Sequence, residues 1–547
     1  MLRIIKKNRA APFLLYWVVV VILYAPAWRA GFVTDAIDWL HDAQTLPLKE
    51  YLNRSHSAVH ALYQTTQFVT LGFYKLFGVA RLPWFLLFVT LQAMGAYMLF
   101  FLCYQIFGAA NLMQRFEKAL IGALIFCVSP YISEVVVWKA CYHYLQGLIL
   151  LLGILICVER YIYTRSLYCP WIAAALFLLS AFSLEIFYLT PLFTATLLFY
   201  YRSLGWERAV KRRTWLIFLL PQLIAFAAHL LLFRRMYGEW GSHGTGGAWT
   251  MPFLAHLSNG ARYAFHLLLF GRYWPQEIKE QVYVLCDKSF FACAVFLFLI
   301  LPLAAWLIRK TRKGYGRAQA GLLLLVWSAL AVLPALPMPF ERLFDLSGNR
   351  YLYFSVAFGS MLFGMACCAI PYRWLRAGAI GIWIGISVFL TLRTNRRWQT
   401  SERINESLFE HFRDANGKTT ILLAMPYAYK GIPMINSWPY GNFGRMRETL
   451  LNKPPDGKVY DGMAFNMTAP SNGAIAEAVN DSTVKVTLLQ WGSWWWYMDF
   501  GGRSYETPAY RIDMRDQGHW YEIILKKPLD QYQLLYQVGD KWRVVSR

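Results

Sequence analysis

The stretch APFLLYWVVVVILYAPAWR (residues 11–29), followed at once by GFVTDAIDW (residues 31–39), decides how the rest of the chain is read. About 18 mostly apolar residues suffice for a helix to cross a bilayer. The run therefore carries the backbone through a membrane and delivers Asp35, Asp38 and Trp39 to its far surface. Asp35 and Asp38 are three positions apart. If the segment is helical they share one face, where they can jointly accept a proton or hold a cation. The plainer reading is that Asp35 caps a surface helix and Asp38 is solvated.

The 547-residue chain is 57% hydrophobic and 16% charged, whereas soluble chains carry about 25% charged residues. It reads as a polytopic α-helical membrane protein. The formal net charge of +23 does not point to nucleic acid as a partner, because Lys and Arg fall in short clusters between apolar runs, as the positive-inside rule requires. Nine cysteines, among them Cys103, Cys127, Cys157, Cys293, Cys367 and Cys368, lack the paired spacing of a zinc site or a disulfide framework. The start MLRIIKKNR (residues 1–9) looks like the charged end of a signal peptide, but further apolar runs follow and no small-residue cleavage site does. An uncleaved first helix with a cytoplasmic N-terminus is expected.

From that start, Ala30 to about Arg81 lies outside and Leu82 to Phe107 returns to a cytoplasmic turn holding Arg115, Glu117 and Lys118. Ala119 to about Pro130 goes out and Tyr144 to Val158 comes back. Pro170 to Tyr201 is too long for one helix and lies between two basic turns, so a hairpin with Ser183, Leu184 and Glu185 at its apex is expected. Trp215 to Phe233 opens a second external loop, in which Leu254 to Phe270 is helical in pattern but interrupted by Asn259-Gly260. Phe290 to Ile308, Ala318 to Pro337, Tyr351 to Pro371 and Ala377 to Leu392 complete about eleven spans. Arg393, Arg396 and Arg397 stand against that topology, since they fall just outside the last span. The division expected is a membrane domain over residues 1–399 and an extracytoplasmic α+β domain over residues 400–547. Strands are expected at Thr419 to Met425, Thr483 to Gln490 and Trp520 to Leu525. The aromatic run WGSWWWY (residues 491–497) can stack on sugar rings or rest at the membrane interface, or simply alternate within a β core.

Five pieces fall in order on the external side. They are GFVTD (31–35) with Asp38 beyond it, SPYISEVVVW (129–138), SLE (183–185) with Pro191 beyond it, His243 in a Gly-rich loop, and NRYLY (349–353). Together they resemble the GT-C class of membrane glycosyltransferases over about residues 10 to 410. The likeness is to transmembrane O-mannosyltransferases with tetratricopeptide repeats and to their bacterial relatives. Those carry Gly-Phe-Val-x-Asp-Asp, His-Pro-x-x-x-Glu-x-Val-x-Trp, Ser-Lys-Glu and Glu-Arg-Tyr-Leu-Tyr. Here the second acid is displaced to Asp38, Ser129 replaces the histidine, Cys141-Tyr142 stands where Gly-Arg follows, Leu184 replaces the lysine and Asn349 the first glutamate. Lys139 and His143 are the cations left near that second piece. No tetratricopeptide period is visible in the tail.

The resemblance implies a polyprenyl-phosphate sugar as donor, a protein or envelope glycan as acceptor, inverting transfer, and a site on the extracytoplasmic face of a bacterial inner membrane. In that picture Asp35, with Asp38 and Glu134 as further catalytic candidates, takes the proton of the acceptor hydroxyl. Arg350, with Lys139, Tyr351 and Tyr353, binds the donor phosphate. Glu185, Trp138 and His243 are further site candidates. A divalent cation such as Mg or Mn would be held by Asp35 and Asp38. No Gly-rich nucleotide fingerprint is present, which agrees with a lipid-linked donor. Each candidate also has a plainer reading: an interfacial Trp138 with a solvated Glu134, a structural ion pair at Glu185, a loop histidine at His243, a helix anchor at Arg350. Two other functions stay open. One is a lipid-A aminosugar transferase; the other is a transporter or flippase for lipid-linked sugars, for which matching broken helices in two halves are expected and not seen.

Overall fold

The computed structural model describes residues 10–53, 62–107, 112–206, 210–238, 240, 253–288, 290, 294, 316–337, 348–413, 417–426, 428–434, 448–451, 459–460, 464–466, 474–489, 492–494, 504–515, 519–539 and 541–546. Six helices among them are long and apolar enough to cross a membrane: Arg81–Ile106, Lys139–Thr164, Arg212–Tyr237, Ala318–Ala335, Asn349–Cys368 and Arg373–Leu408. Leu112–Val128 and Pro130–Val137, bent by 53° at their break, make a seventh if they are one span. Ala11–Ala27 and Tyr168–Ala181 are apolar but shorter. The expected eleven spans are thus not reached among the described residues, and Phe290 to Ile308 falls almost wholly outside them. This is an integral membrane protein, and its lipid-facing surface is plain. Leu14, Val18 and Ile22 are exposed one above the other on the first helix, as are Leu216, Leu220, Leu223 and Ile224 on Arg212–Tyr237.

Between helices, small residues let backbones approach. A Cβ added at Gly122 would lie 2.9 Å from the Cα of Met361, and one at Gly364 would lie 2.8 Å from the Cα of Gly122. Only hydrogen atoms fit there, so Leu112–Val128 and Tyr353–Cys368 cross in direct backbone contact. Polar side chains pin the bundle from within. Asn395 donates to the Leu23 carbonyl at 2.9 Å and accepts from Ser133 at 2.8 Å, while Thr391 donates to the Val128 carbonyl at 3.0 Å.

Pro170 to Tyr201 folds as two helices, Tyr168–Ala181 and Thr190–Ser203, around a 3-10 turn at Glu185–Leu189. The stretch after the first helix holds three helices of its own, Asp35–Thr45, Leu48–Asn53 and Gln64–Phe77. Asn259-Gly260 does not interrupt its helix, which runs unbroken over Phe253–Leu269. The Asn259 amide instead donates to the Leu336 carbonyl at 2.7 Å, so a residue that reads as a breaker is used to tie two segments.

The last apolar span and the start of the tail form one 41-residue helix, Arg373–Arg413, so position 400 falls inside a helix. Its ends identify the two faces of the bundle. Arg376 approaches Glu117 at 3.7 Å at one end, and Glu402 is ion-paired with Arg81, which also donates to the Arg29 carbonyl, at the other. Beyond the helix the strand Thr419–Pro426 pairs in parallel with Tyr532–Val538, Val459–Tyr460 and Ala464–Asn466. Ala464–Asn466 continues to Gly492–Trp494, and Tyr532–Val538 to Lys541–Val544. A second, antiparallel sheet has the order Ala474–Ala478, Thr483–Leu488, Trp520–Leu525, Tyr510–Arg515, Tyr505–Glu506. The inward residues of both, including Ile421, Leu423, Val484, Val486, Ile523 and Leu534, form one buried cluster. Of the aromatic run, Gly492–Trp494 is a strand and its other residues lie outside the described ones.

Candidate active site

The first motif is fixed by the second. Gly31 has φ +106°, and a Cβ there would lie 1.9 Å from the Val137 carbonyl oxygen. The position therefore accepts glycine alone, on both conformational and steric grounds. With that contact made, the Lys139 N–H donates to the Gly31 carbonyl at 3.0 Å and the Trp138 indole donates to the Val33 carbonyl at 3.0 Å. The clipped loop then turns at Thr34, φ 49°, into the helix Asp35–Thr45. Asp35 and Asp38 occupy its first turn. Asp35 is open to solvent on one side while protein surrounds it elsewhere. That surrounding protein, together with the charge of Asp38, raises its pKa to about 6, and nearby Arg350 pulls the other way. Solvent that reaches the carboxylate screens part of that upward shift.

Glu134 follows the bend that interrupts Leu112–Val137. It is 3% exposed and accepts from three donors: the Gly348 N–H at 3.3 Å, the Arg350 N–H at 3.0 Å, and the Arg350 guanidinium, with which it is ion-paired. Arg350 is held from every side. Its guanidinium lies 5.0 Å from the Trp138 ring centroid and 4.7 Å from that of Tyr351, and its Nη2 donates to the Tyr351 hydroxyl at 3.2 Å. Part of the fork still reaches solvent. A guanidinium so placed is an oriented cation, prepaid in entropy, near Asp35.

Glu185, at the apex of the helical hairpin, accepts a hydrogen bond from Tyr63. The Tyr63 ring stacks on His143 at 5.5 Å, and Trp39 and Tyr144 lie 5.8 Å and 4.7 Å from that same imidazole. Tyr144 is close enough to interact electrostatically with both Arg350 and Glu185. The structure so brings Asp35, Asp38, Glu134, Trp138, Arg350 and Tyr351 to one place, with Glu185 joined to them through an aromatic wall.

Two expected donor contacts are corrected. Tyr353 is fully buried and donates to Gln92 at 2.7 Å, because the turn that exposes Arg350 rolls Tyr353 into the bundle. Lys139 is 4% exposed, its ammonium lies 4.7 Å from the Phe88 ring centroid, and it faces Arg81 and Glu402 instead. His243 lies outside the described residues. Among those described, no group of three His, Cys, Asp or Glu side chains is arranged to hold a metal. Sequence reading missed Tyr63, whose partner Glu185 is 122 residues away, and Gln92, which is 261 residues from Tyr353.

No family model matches the chain, and no curated protein matches it. Among solved structures it is similar to two crystal structures of the oligosaccharyltransferase of Archaeoglobus fulgidus. For the complex with zinc and sulfate, the TM-score is 0.42 at 11% identity, covering 82% of this chain and 62% of that one. For the apo form it is 0.42 at 10% identity, covering 83% and 65%. The chain thus spans less than two thirds of those proteins.

Proposed function

We propose that this protein is a membrane glycosyltransferase that moves a sugar from a polyprenyl-phosphate donor to a protein or envelope glycan acceptor, at the face that carries Asp35 and Arg350. The observation that carries this reading is a solvent-reached carboxylate, Asp35, within electrostatic reach of the fixed guanidinium of Arg350 at the end of an apolar bundle. A lipid donor keeps its tail among the apolar helices and brings its phosphate to Arg350. Asp35, ionised above pH about 6, removes the acceptor hydroxyl proton as the oxygen attacks the anomeric carbon. The bond from that carbon to the phosphate oxygen breaks, with inversion, and the charge that develops is met by Arg350. Glu134 acts as a positioning residue: it fixes the fork of Arg350 and does not touch substrate. Trp39, Tyr63 and His143 pack on one another as the aromatic wall that joins Glu185 to the site.

We propose Asp35 and Asp38 as the carboxylates that would hold a divalent ion of the Mg or Mn type, since such ions take one or two carboxylates and complete their shell with water and phosphate. Bound there it would supply further positive charge to the donor phosphate. On this reading the site faces outward from a bacterial inner membrane.

The test is transfer itself. Purified protein is incubated with a set of radiolabelled polyprenyl-phosphate sugars and membrane extract. Label should pass to a protein or glycan fraction with the parent protein and not with Asp35→Asn. Movement of intact labelled donor between leaflets, without transfer, would replace this reading by that of a flippase.

A further inference from the structure

Arg272 lies in the 3-10 turn Gly271–Tyr273, between the helices Phe253–Leu269 and Gln276–Lys288. It is 5% exposed, and among the described residues it has neither a hydrogen-bond nor an ion-pair partner; its Nε is enclosed and unbonded. A buried cation in that condition is costly to the protein that carries it. Among the described residues, two carboxylates on the surrounding elements are engaged elsewhere: Asp287 is bonded to Ser258 and Arg262, and Glu134 to Arg350. The local field is positive. Burial, Arg272, Lys279 and Arg262 together hold the pKa of His266 well below its usual value.

The guanidinium points towards the site already described. Gly348 has φ +89°, and a Cβ built there would lie 3.6 Å from Nη2 of Arg272 and 3.3 Å from Cδ2 of Tyr351, the ring that carries Arg350 on its face. Tyr263 interacts electrostatically with Arg272 and Arg350 alike. Two cations therefore flank one turn, Gly348 to Tyr351, and among the described residues only Arg350 has an anion.

We infer that Arg272 is a second anion subsite, taking a phosphate oxyanion beside the one at Arg350, so that the pair fits a diphosphate rather than a single phosphate. The inference rests on the lipid-linked donor proposed above and narrows its linkage from a single phosphate to a diphosphate. Diphosphate spreads its charge over two phosphoryl groups, and each guanidinium can meet one of them with charge-assisted hydrogen bonds.

The test measures binding of inorganic pyrophosphate and inorganic phosphate to the full chain in nanodiscs. Pyrophosphate should bind the parent protein more tightly than phosphate. Arg272→Gln should weaken pyrophosphate by about tenfold or more, Arg272→Lys should fall between the two, and phosphate should be little changed by either. The ligand-free Tm of Arg272→Gln should equal or exceed that of the parent, because an unpaired buried charge has been removed. Equal pyrophosphate affinity in parent and Arg272→Gln would overturn the subsite, as would a lowered Tm with unchanged affinity, which is the mark of packing alone. Pyrophosphate bound no better than phosphate would overturn the diphosphate fit. Polyprenyl diphosphate should compete with pyrophosphate. Failure to compete, with the Arg272 dependence intact, would leave the subsite standing for free diphosphate and remove the lipid-donor reading instead.

Discussion

Asp35 carries the sharpest expectations at the scale of single residues. Asp35→Asn keeps shape and removes the base, so transfer should fall by about two to four orders of magnitude while donor binding and folding are kept. Asp38→Asn should be milder unless both acids hold an ion. The raised pKa fixes the sign of the pH dependence. Asp35 is protonated below pH about 6 and ionised above it, so kcat/KM, measured with chelator present, should rise about tenfold per pH unit up to that point and then level. A profile flat from pH 5 to 8 would remove Asp35 as the base. Arg350→Lys keeps charge without the bidentate fork and should retain part of the turnover, whereas Arg350→Ala should retain very little. Because Glu134 is 3% exposed, Arg350→Ala also strands a buried carboxylate, at about 3–5 kcal/mol of stability. Turnover must therefore be counted per folded molecule, with donor varied: normal turnover in folded Arg350→Ala would exclude the phosphate role. That Glu134 and Arg350 form a pair was not legible from the sequence, since 216 residues separate them. What was legible was that each sits in a motif at an apolar boundary.

At the scale of elements, the clip between the Gly31 loop and the Val137–Lys139 turn should be intolerant of a single methyl group. Gly31→Ala drives a Cβ into the Val137 carbonyl and imposes φ +106° on a residue with a side chain. A loss of about 1–3 kcal/mol is expected from the backbone strain alone. It should appear as a lowered Tm and, in the folded fraction, as lost transfer, because the clip sets where Asp35 points. Undiminished activity and Tm in Gly31→Ala would contradict the geometry. Elements whose pattern is local were readable: the strand Trp520–Leu525 and the paired helices of the hairpin have the bounds or the break that alternation and charge imply. Elements decided by distant partners were not. Arg393, Arg396 and Arg397 read as the end of a span, yet the helix passes through them, and Arg397 finds the Lys430 carbonyl at 3.1 Å. Asn259-Gly260 reads as a break, yet Leu336 turns the asparagine into a tie.

For the whole molecule, the two ends of the bundle make a labelling prediction. Lys49, in the helix after the acid turn, and Asp530, in the tail, are exposed on the side of Glu402, and Arg373 is exposed on the side of Glu117. In a variant cleared of reactive native cysteines, Lys49→Cys and Asp530→Cys should react with a membrane-impermeant reagent from the same side. Arg373→Cys should react only from the other. Equal access at Lys49→Cys and Arg373→Cys would dissolve the division into two faces. Composition made the membrane class evident, but the number of crossings was not legible, because helices such as Tyr168–Ala181 are too short to be told from buried ones by apolarity alone.

The helix Arg373–Arg413 has a last consequence. At 41 residues and about 1.5 Å per residue it is roughly 60 Å long, about twice the hydrocarbon thickness of a bilayer. Its excess length acts as a splint. The tail is lashed along it, with the Trp542 indole donating to the Ile404 carbonyl and Arg397 to the Lys430 carbonyl, each at 3.1 Å. Thr449 lies 3.4 Å from the His41 imidazole on the helix that begins with Asp35, so the tail sits low beside the acid turn and any bulky acceptor has to pass along its flank.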